Sequence, residues 1–157
     1  MKLSGIGQPR RPGGATLESS SLLDIAMASV HREIVIQRAP AEVWDALADV
    51  GALHTRLAKG FVTDCRLEPG ARVVTFANGV VARELIVDVD AERRRVAWAV
   101  VGGRLSHHNA SAQVLAEGAG AARFVWIADF LPDEHAPAIA SMIEHGIAAV
   151  KRTLEIG

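Results

Sequence analysis

From Phe61 to Phe130 the chain keeps a period of two through six successive segments, at 61–67, 71–77, 80–89, 94–101, 107–116 and 122–130. The breaks between them are turn chemistry: Pro69-Gly70, Asn78-Gly79, Asp90-Ala91-Glu92, Gly102-Gly103 and Gly118-Ala119-Gly120. Alternating apolar residues bounded by such turns predict half-buried strands. Six of them in short succession predict an antiparallel meander.

The flanks set what the meander packs against. Residues 31–38, with Ile34, Val35 and Ile36, suit a first strand. Pro40 then opens a helix, because its fixed φ suits the first helical turn. Val43, Trp44, Leu47 and Val50 follow at helical spacing, Gly51 ends the run, and a second short helix is predicted at Ala52 to Leu57. Trp44 reads as core. At the other end, "APAIASMIEHGIAAVKRTLE" predicts a long helix over 136–155. Ile139, Met142, Ile143, Gly146, Ile147, Val150 and Leu154 form its apolar stripe. Gly146 costs that helix about 1 kcal/mol relative to Ala, which points to a close approach or to room for a bound molecule. Together these elements predict an α+β helix-grip fold. A curved seven-stranded antiparallel sheet wraps a long C-terminal helix, with two short helices after strand 1, and the gap between sheet and helix is a natural cavity.

Composition narrows the function classes. Half of the 157 residues are hydrophobic but only 4% are aromatic, and tyrosine is absent, so a pocket here is expected to be largely aliphatic. A net charge of −1 makes no electrostatic case for nucleic acid. Cys65 is the single cysteine and reads as a strand hydrophobe. His107-His108 lacks the spacing of a zinc site, and no phosphate-cradling glycine loop or nucleophile elbow is present, so no metal and no cofactor are expected. Residues 1–29, rich in Gly, Pro and Ser, read as a flexible tail ahead of a single domain at 30–157. Asp24 interrupts the apolar run of that tail and argues against a secretory leader. No run is long enough for a membrane span, and a cytoplasmic location is expected.

The opening "APAEVWDALADVGAL", the meander and the closing "IEHGIAAVKRTLE" resemble the SRPBCC, or Bet v 1-like (START-like), superfamily, whose bacterial members include polyketide cyclase/dehydrase proteins. Within it, "KGFVTDCRLEPG", "ARELIVDVDAERRRVAWAVVGG" and the asparagine of "HHNAS" are similar to segments of the plant abscisic-acid receptors. That resemblance implies a role for Lys59 in pairing with a ligand carboxylate and for Glu84 in a polar network around the ligand. The receptors' loop after two glycines matches only at Asn109 of "GGRLSHHN", and their gate sequence has no counterpart in "FANGV". A ligand-closed gate is therefore not implied.

If Glu84 faces inward, period two turns Val80, Ala82 and Ile86 the same way. The resemblance also turns Trp98 inward, with Val96 and Val100. It does the same for His108 with Ala110 and Ala112, and for Trp126 with Phe124 and Ala128. The candidate ligand-binding residues are therefore Lys59, Glu84, Trp98, His108, Asn109, Ala110, Trp126, Met142 and His145. Each has an alternative: Lys59 as a solvated loop residue, Glu84 as outward-facing, and His145 as a satisfied, partly buried histidine. Of His107 and His108 at most one lines a pocket. These residues predict binding of a small hydrophobic, carboxylate-bearing molecule, held more tightly at pH 6 than at pH 8 if His108 is protonated beside it. A cyclase or dehydratase using a cavity Glu or His as acid or base, and a protein-interaction module, stay open as alternatives. So does a homodimer.

Overall fold

The computed structural model describes residues 28–156. Seven strands form one antiparallel sheet in the order β1-β7-β6-β5-β4-β3-β2. They are β1 (Ala28–Ile36), β2 (Val62–Glu68), β3 (Ala71–Phe76), β4 (Val81–Asp90), β5 (Arg95–Val101), β6 (His107–Ala116) and β7 (Ala122–Leu131). Two α-helices complete the fold, α1 (Pro40–Ala48) and α2 (Ala136–Ile156), and they give the predicted helix-grip arrangement. The predicted tail lies almost wholly outside the described residues; β1 begins at Ala28. Among the described residues, no helix is long and apolar enough to cross a membrane.

Helix α1 starts at Pro40, and Glu42 Oε2 accepts the Ala39 N–H at 3.1 Å, which satisfies one donor of the first turn. The second short helix is a single π-type turn, Leu53–Leu57, which buries both of its leucines. Trp44 is only half-buried, packed against the core from α1.

Helix α2 buries Ile143, Gly146, Ile147, Ala149, Val150 and Thr153. Polar contacts hold its flank against β1: Lys151 Nζ donates to the Val35 carbonyl at 2.6 Å, and Arg32 Nε to Glu144 Oε1 at 3.0 Å. Just beyond β1, the Gln37 N–H donates to Glu155 Oε1 at 2.8 Å. Phe124, Phe130, Ile36, Ile143, Val43 and Val74 are among the fully buried side chains. Burying each such side chain contributes about 1.5–3 kcal/mol.

The β3–β4 hairpin departs from its sequence reading in a way that shapes the site. Strands ending at 77 and restarting at 80 imply a two-residue Asn-Gly loop, which would set Val73 opposite Glu84. The structure instead has a three-residue loop, Ala77 to Gly79. Phe76 N–H donates to Val80 O and Gly79 N–H to Phe76 O, each at 2.9 Å, with Gly79 at φ +87°. That one extra residue brings Arg72 opposite Glu84.

Candidate functional site

The concave face of the sheet and α2 enclose a cavity of about 250 Å³. Its wall follows from cross-strand pairing of large with small residues. Trp98 on β5 lies opposite Ala110 on β6, and Ala112 on β6 lies opposite Trp126 on β7. Ala110 faces Ala128 on its other side. The two indoles meet edge to face at 6.1 Å. Alanines flanking each tryptophan leave volume that the indoles do not fill, which is the origin of the space. Leu53, Leu57, Phe61, Ile139 and Met142 close the helix side.

Among the described residues lining this cavity, the ionisable side chains are Arg72, Glu84, Arg104 and His108. Arg72 and Glu84 are 3% and 6% exposed. Arg72 Nε donates to Glu84 Oε2 at 2.6 Å, and its Nη1 donates to the Val50 carbonyl at 3.2 Å. The guanidinium also stands 5.2 Å from the Trp98 ring centre, a cation–π distance. Glu84 Oε1 has no protein hydrogen-bond partner among the described residues. Burial pushes the Glu84 carboxyl above the ordinary carboxylate range, against the pull of Arg72. Burial also lowers the His108 imidazole below its usual range, with a smaller contribution from His107.

The glycine-rich loop after β5 forms the cavity rim. Gly102 and Gly103 both take φ +79°, a left-handed conformation that other residues adopt at a cost. The turn they make brings Arg104 and Leu105 to the rim, while Ser106 N–H donates to Leu131 O at 3.1 Å. Arg104 and His107 are exposed; His108 is half-buried with its ring 6.1 Å from that of Phe130.

The structure brings six of the nine candidate residues to this one wall: Glu84, Trp98, His108, Ala110, Trp126 and Met142. Lys59, Asn109 and His145 lie off it. Lys59 is exposed, with its backbone N–H donating to Thr153 Oγ1 at 3.0 Å, so it does not reach Glu84 or the interior. Asn109 cannot face inward beside His108, because β6 keeps an unbroken register with both neighbours and successive residues alternate faces. Its side chain is exposed on the convex face. His145 lines an outer groove and donates Nδ1–H to the Ser141 carbonyl at 2.7 Å.

Sequence reasoning missed Arg72. The available signal was parity, since Arg72 shares its face of β3 with Val74 and Phe76, and all three line the cavity. Cys65 is buried beside Val50, as a strand hydrophobe should be, and burial raises its thiol pKa.

The family model described as polyketide cyclase / dehydrase and lipid transport matches residues 27–155. The chain belongs to that family. No curated protein matches it by sequence. Among solved structures, an uncharacterized protein from Bacillus thuringiensis superposes with a TM-score of 0.74 at 15% identity, over 81% of this chain and 98% of that one. Norcoclaurine synthase from Thalictrum flavum, in complex with dopamine and hydroxybenzaldehyde, gives 0.66 at 15% identity, over 99% and 95%. The di-domain ARO/CYC BexL from the BE-7585A biosynthetic pathway gives 0.71 at 16% identity, over 82% of this chain but only 46% of BexL. At these identities the likeness is one of fold. Members of the polyketide cyclase / dehydrase and lipid transport family are SRPBCC-type domains, and the helix-grip architecture here is of that type.

Proposed function

We propose that this domain binds a small, mainly apolar molecule between the sheet and α2. The observation that carries this reading is a cavity of about 250 Å³ whose wall is aliphatic and aromatic apart from four ionisable side chains. Two of those four, Arg72 and Glu84, neutralise each other. A wall of this kind favours apolar surface, and Glu84 Oε1 and His108 offer a few directional polar contacts, made directly or through water. Among the described residues no lysine lines the interior, which moves the anion-pairing role away from Lys59. Burial holds the His108 imidazole below its usual range, which favours its neutral form in the empty cavity. An anion seated beside the imidazole would oppose that shift, so tighter carboxylate binding at pH 6 than at pH 8 is the expected sign of a ligand in contact with His108.

Native mass spectrometry of the purified protein tests the reading, with a bound species of a few hundred daltons as the expected result. Ala110→Leu adds three carbons to the cavity wall opposite Trp98 and is expected to weaken binding of that species at least about tenfold. Its effect on stability should be small, because the added carbons occupy existing space. A protein that carries no small molecule and takes up no apolar probe would refute the proposal.

A second reading, a cyclase- or dehydratase-type enzyme, draws on one specific feature. Burial shifts the Glu84 carboxyl up and the His108 imidazole down, and at Glu84 the paired Arg72 opposes the shift. A carboxyl and an imidazole facing one cavity are groups of the type that act as acid and base on a bound substrate. Glu84→Gln separates the two readings. Binding retained with turnover of a bound carbonyl compound abolished favours the enzyme; no turnover in either protein favours the binder.

A further inference from the structure

Outside the cavity, a groove of about 650 Å³ runs between α2 and the β3–β4 hairpin. Along the helix it extends from Ala138 to Arg152, about 21 Å at 1.5 Å per residue. Phe61, Phe76, Val80, Ile139 and Met142 line both the groove and the cavity, so the two spaces share one apolar partition. The polar side chains of the groove are Asn78, Ser141, His145 and Arg152, and His145 is already engaged through Nδ1–H with the Ser141 carbonyl. Asn78 Oδ1 already accepts the Val80 N–H at 3.0 Å, which leaves its amide N–H groups as the free end. Arg152 is exposed and contributes a guanidinium, and Ser141 a hydroxyl. No carboxylate is among the described residues lining the groove. The acidic side chains of the neighbouring helix flank are engaged elsewhere, Glu144 by Arg32 and Glu155 by Lys151.

The geometry points to the groove as an anion-holding subsite: it receives the negatively charged end of an amphiphile whose apolar part enters the cavity past Phe61 and Phe76. This inference rests on the cavity being a binding site. The cavity volume lies just below the roughly 300–1,000 Å³ usual for ligand pockets, so a longer ligand extends beyond it, and the groove is the space on the other side of the shared side chains. The two rings of that partition meet edge to face at 5.4 Å. Inside, the Arg72–Glu84 pair offers an anion no net charge, and the other arginine of the cavity lining, Arg104, stands exposed at the rim loop after β5. Outside, Arg152 offers it an unopposed cation.

The test compares decanoate with 1-decanol, equal in chain length and different in charge, by titration calorimetry below micellar concentrations. Wild-type protein should bind decanoate more tightly than decanol. Arg152→Gln should weaken decanoate about tenfold, the lower end for a charged hydrogen bond, and leave decanol unchanged. Arg93→Gln removes the same charge from the distant β4–β5 turn and should leave both affinities as they were. Equal losses for both probes in Arg152→Gln, or an unchanged decanoate affinity, would overturn the anion subsite while the cavity reading stands. Failure of wild-type protein to bind either probe would overturn both.

Discussion

Arg72→Met is expected to destabilise the fold by about 3–5 kcal/mol, the usual consequence of leaving one partner of a buried ion pair uncompensated. Arg72 is the charge partner of Glu84, and the pair is almost fully enclosed. Its loss also removes the hydrogen bond to the Val50 carbonyl and the cation–π contact with Trp98. The double variant Arg72→Met, Glu84→Leu should recover most of the loss, because two apolar side chains of similar volume have no charge to desolvate. The penalty should also depend on pH. Burial raises the folded-state pKa of Glu84, so the folded protein binds that proton to higher pH than the unfolded chain does. Stability from this group therefore falls as pH climbs from the unfolded carboxylate range through the folded pKa. Removing Arg72 takes away the lowering influence and pushes the folded value higher still. Urea denaturation should then show a larger Arg72→Met penalty at pH 8 than at pH 5. A double variant no more stable than the single one, or a penalty equal at both pH values, would contradict the buried-pair account.

Gly146→Leu is expected to cost about 3 kcal/mol, the upper part of the range for overpacking a core. A Cβ placed on Gly146 would stand 2.7 Å from Trp126 Cζ3 and 2.9 Å from Phe61 Cε1, so even alanine makes both rings give way. The gain in helix propensity, at most about 1 kcal/mol, offsets only part of this. The glycine thus serves close approach, with the aromatic rings standing against it. A larger residue here displaces Trp126 and Phe61 first, so stability and cavity shape change together and the void is not simply filled. Thermal melting with tryptophan emission as a second readout checks this. A Gly146→Leu protein that melts like wild type with an unmoved emission maximum would show that the rings are not seated on the helix. Gly146→Ala should fall between the two.

Much of the site was legible from parity along the strands. Once Trp98, His108 and Trp126 are set inward, alternation brings Ala110 and Ala112 to the same face, and the structure lines one cavity with all five. Asn109 was misjudged by the same rule, since a residue next to His108 in an unbroken strand must face the other way. Lys59 was carried by resemblance alone, and the backbone contact with Thr153 leaves its side chain outside the wall.

The sequence by itself determined the architecture. Period two with turn residues at each break specifies a meander, and a 21-residue amphipathic segment can bury its stripe only against the concave face of that sheet. Both are local patterns, written every two or every three to four residues, and they survive without knowledge of partners. Tertiary structure alone decided what the interior carries. Whether Glu84 meets Arg72 depends on one residue in the hairpin loop, because a shift of one changes every cross-strand partner while leaving the periodicity intact. Whether Gly146 makes space or close contact depends on the rings of Trp126 and Phe61, which arrive from 20 and 85 positions away in the chain. Burial then shifts the Glu84 carboxyl up and the His108 imidazole down, and burial belongs to the assembled fold and not to either residue.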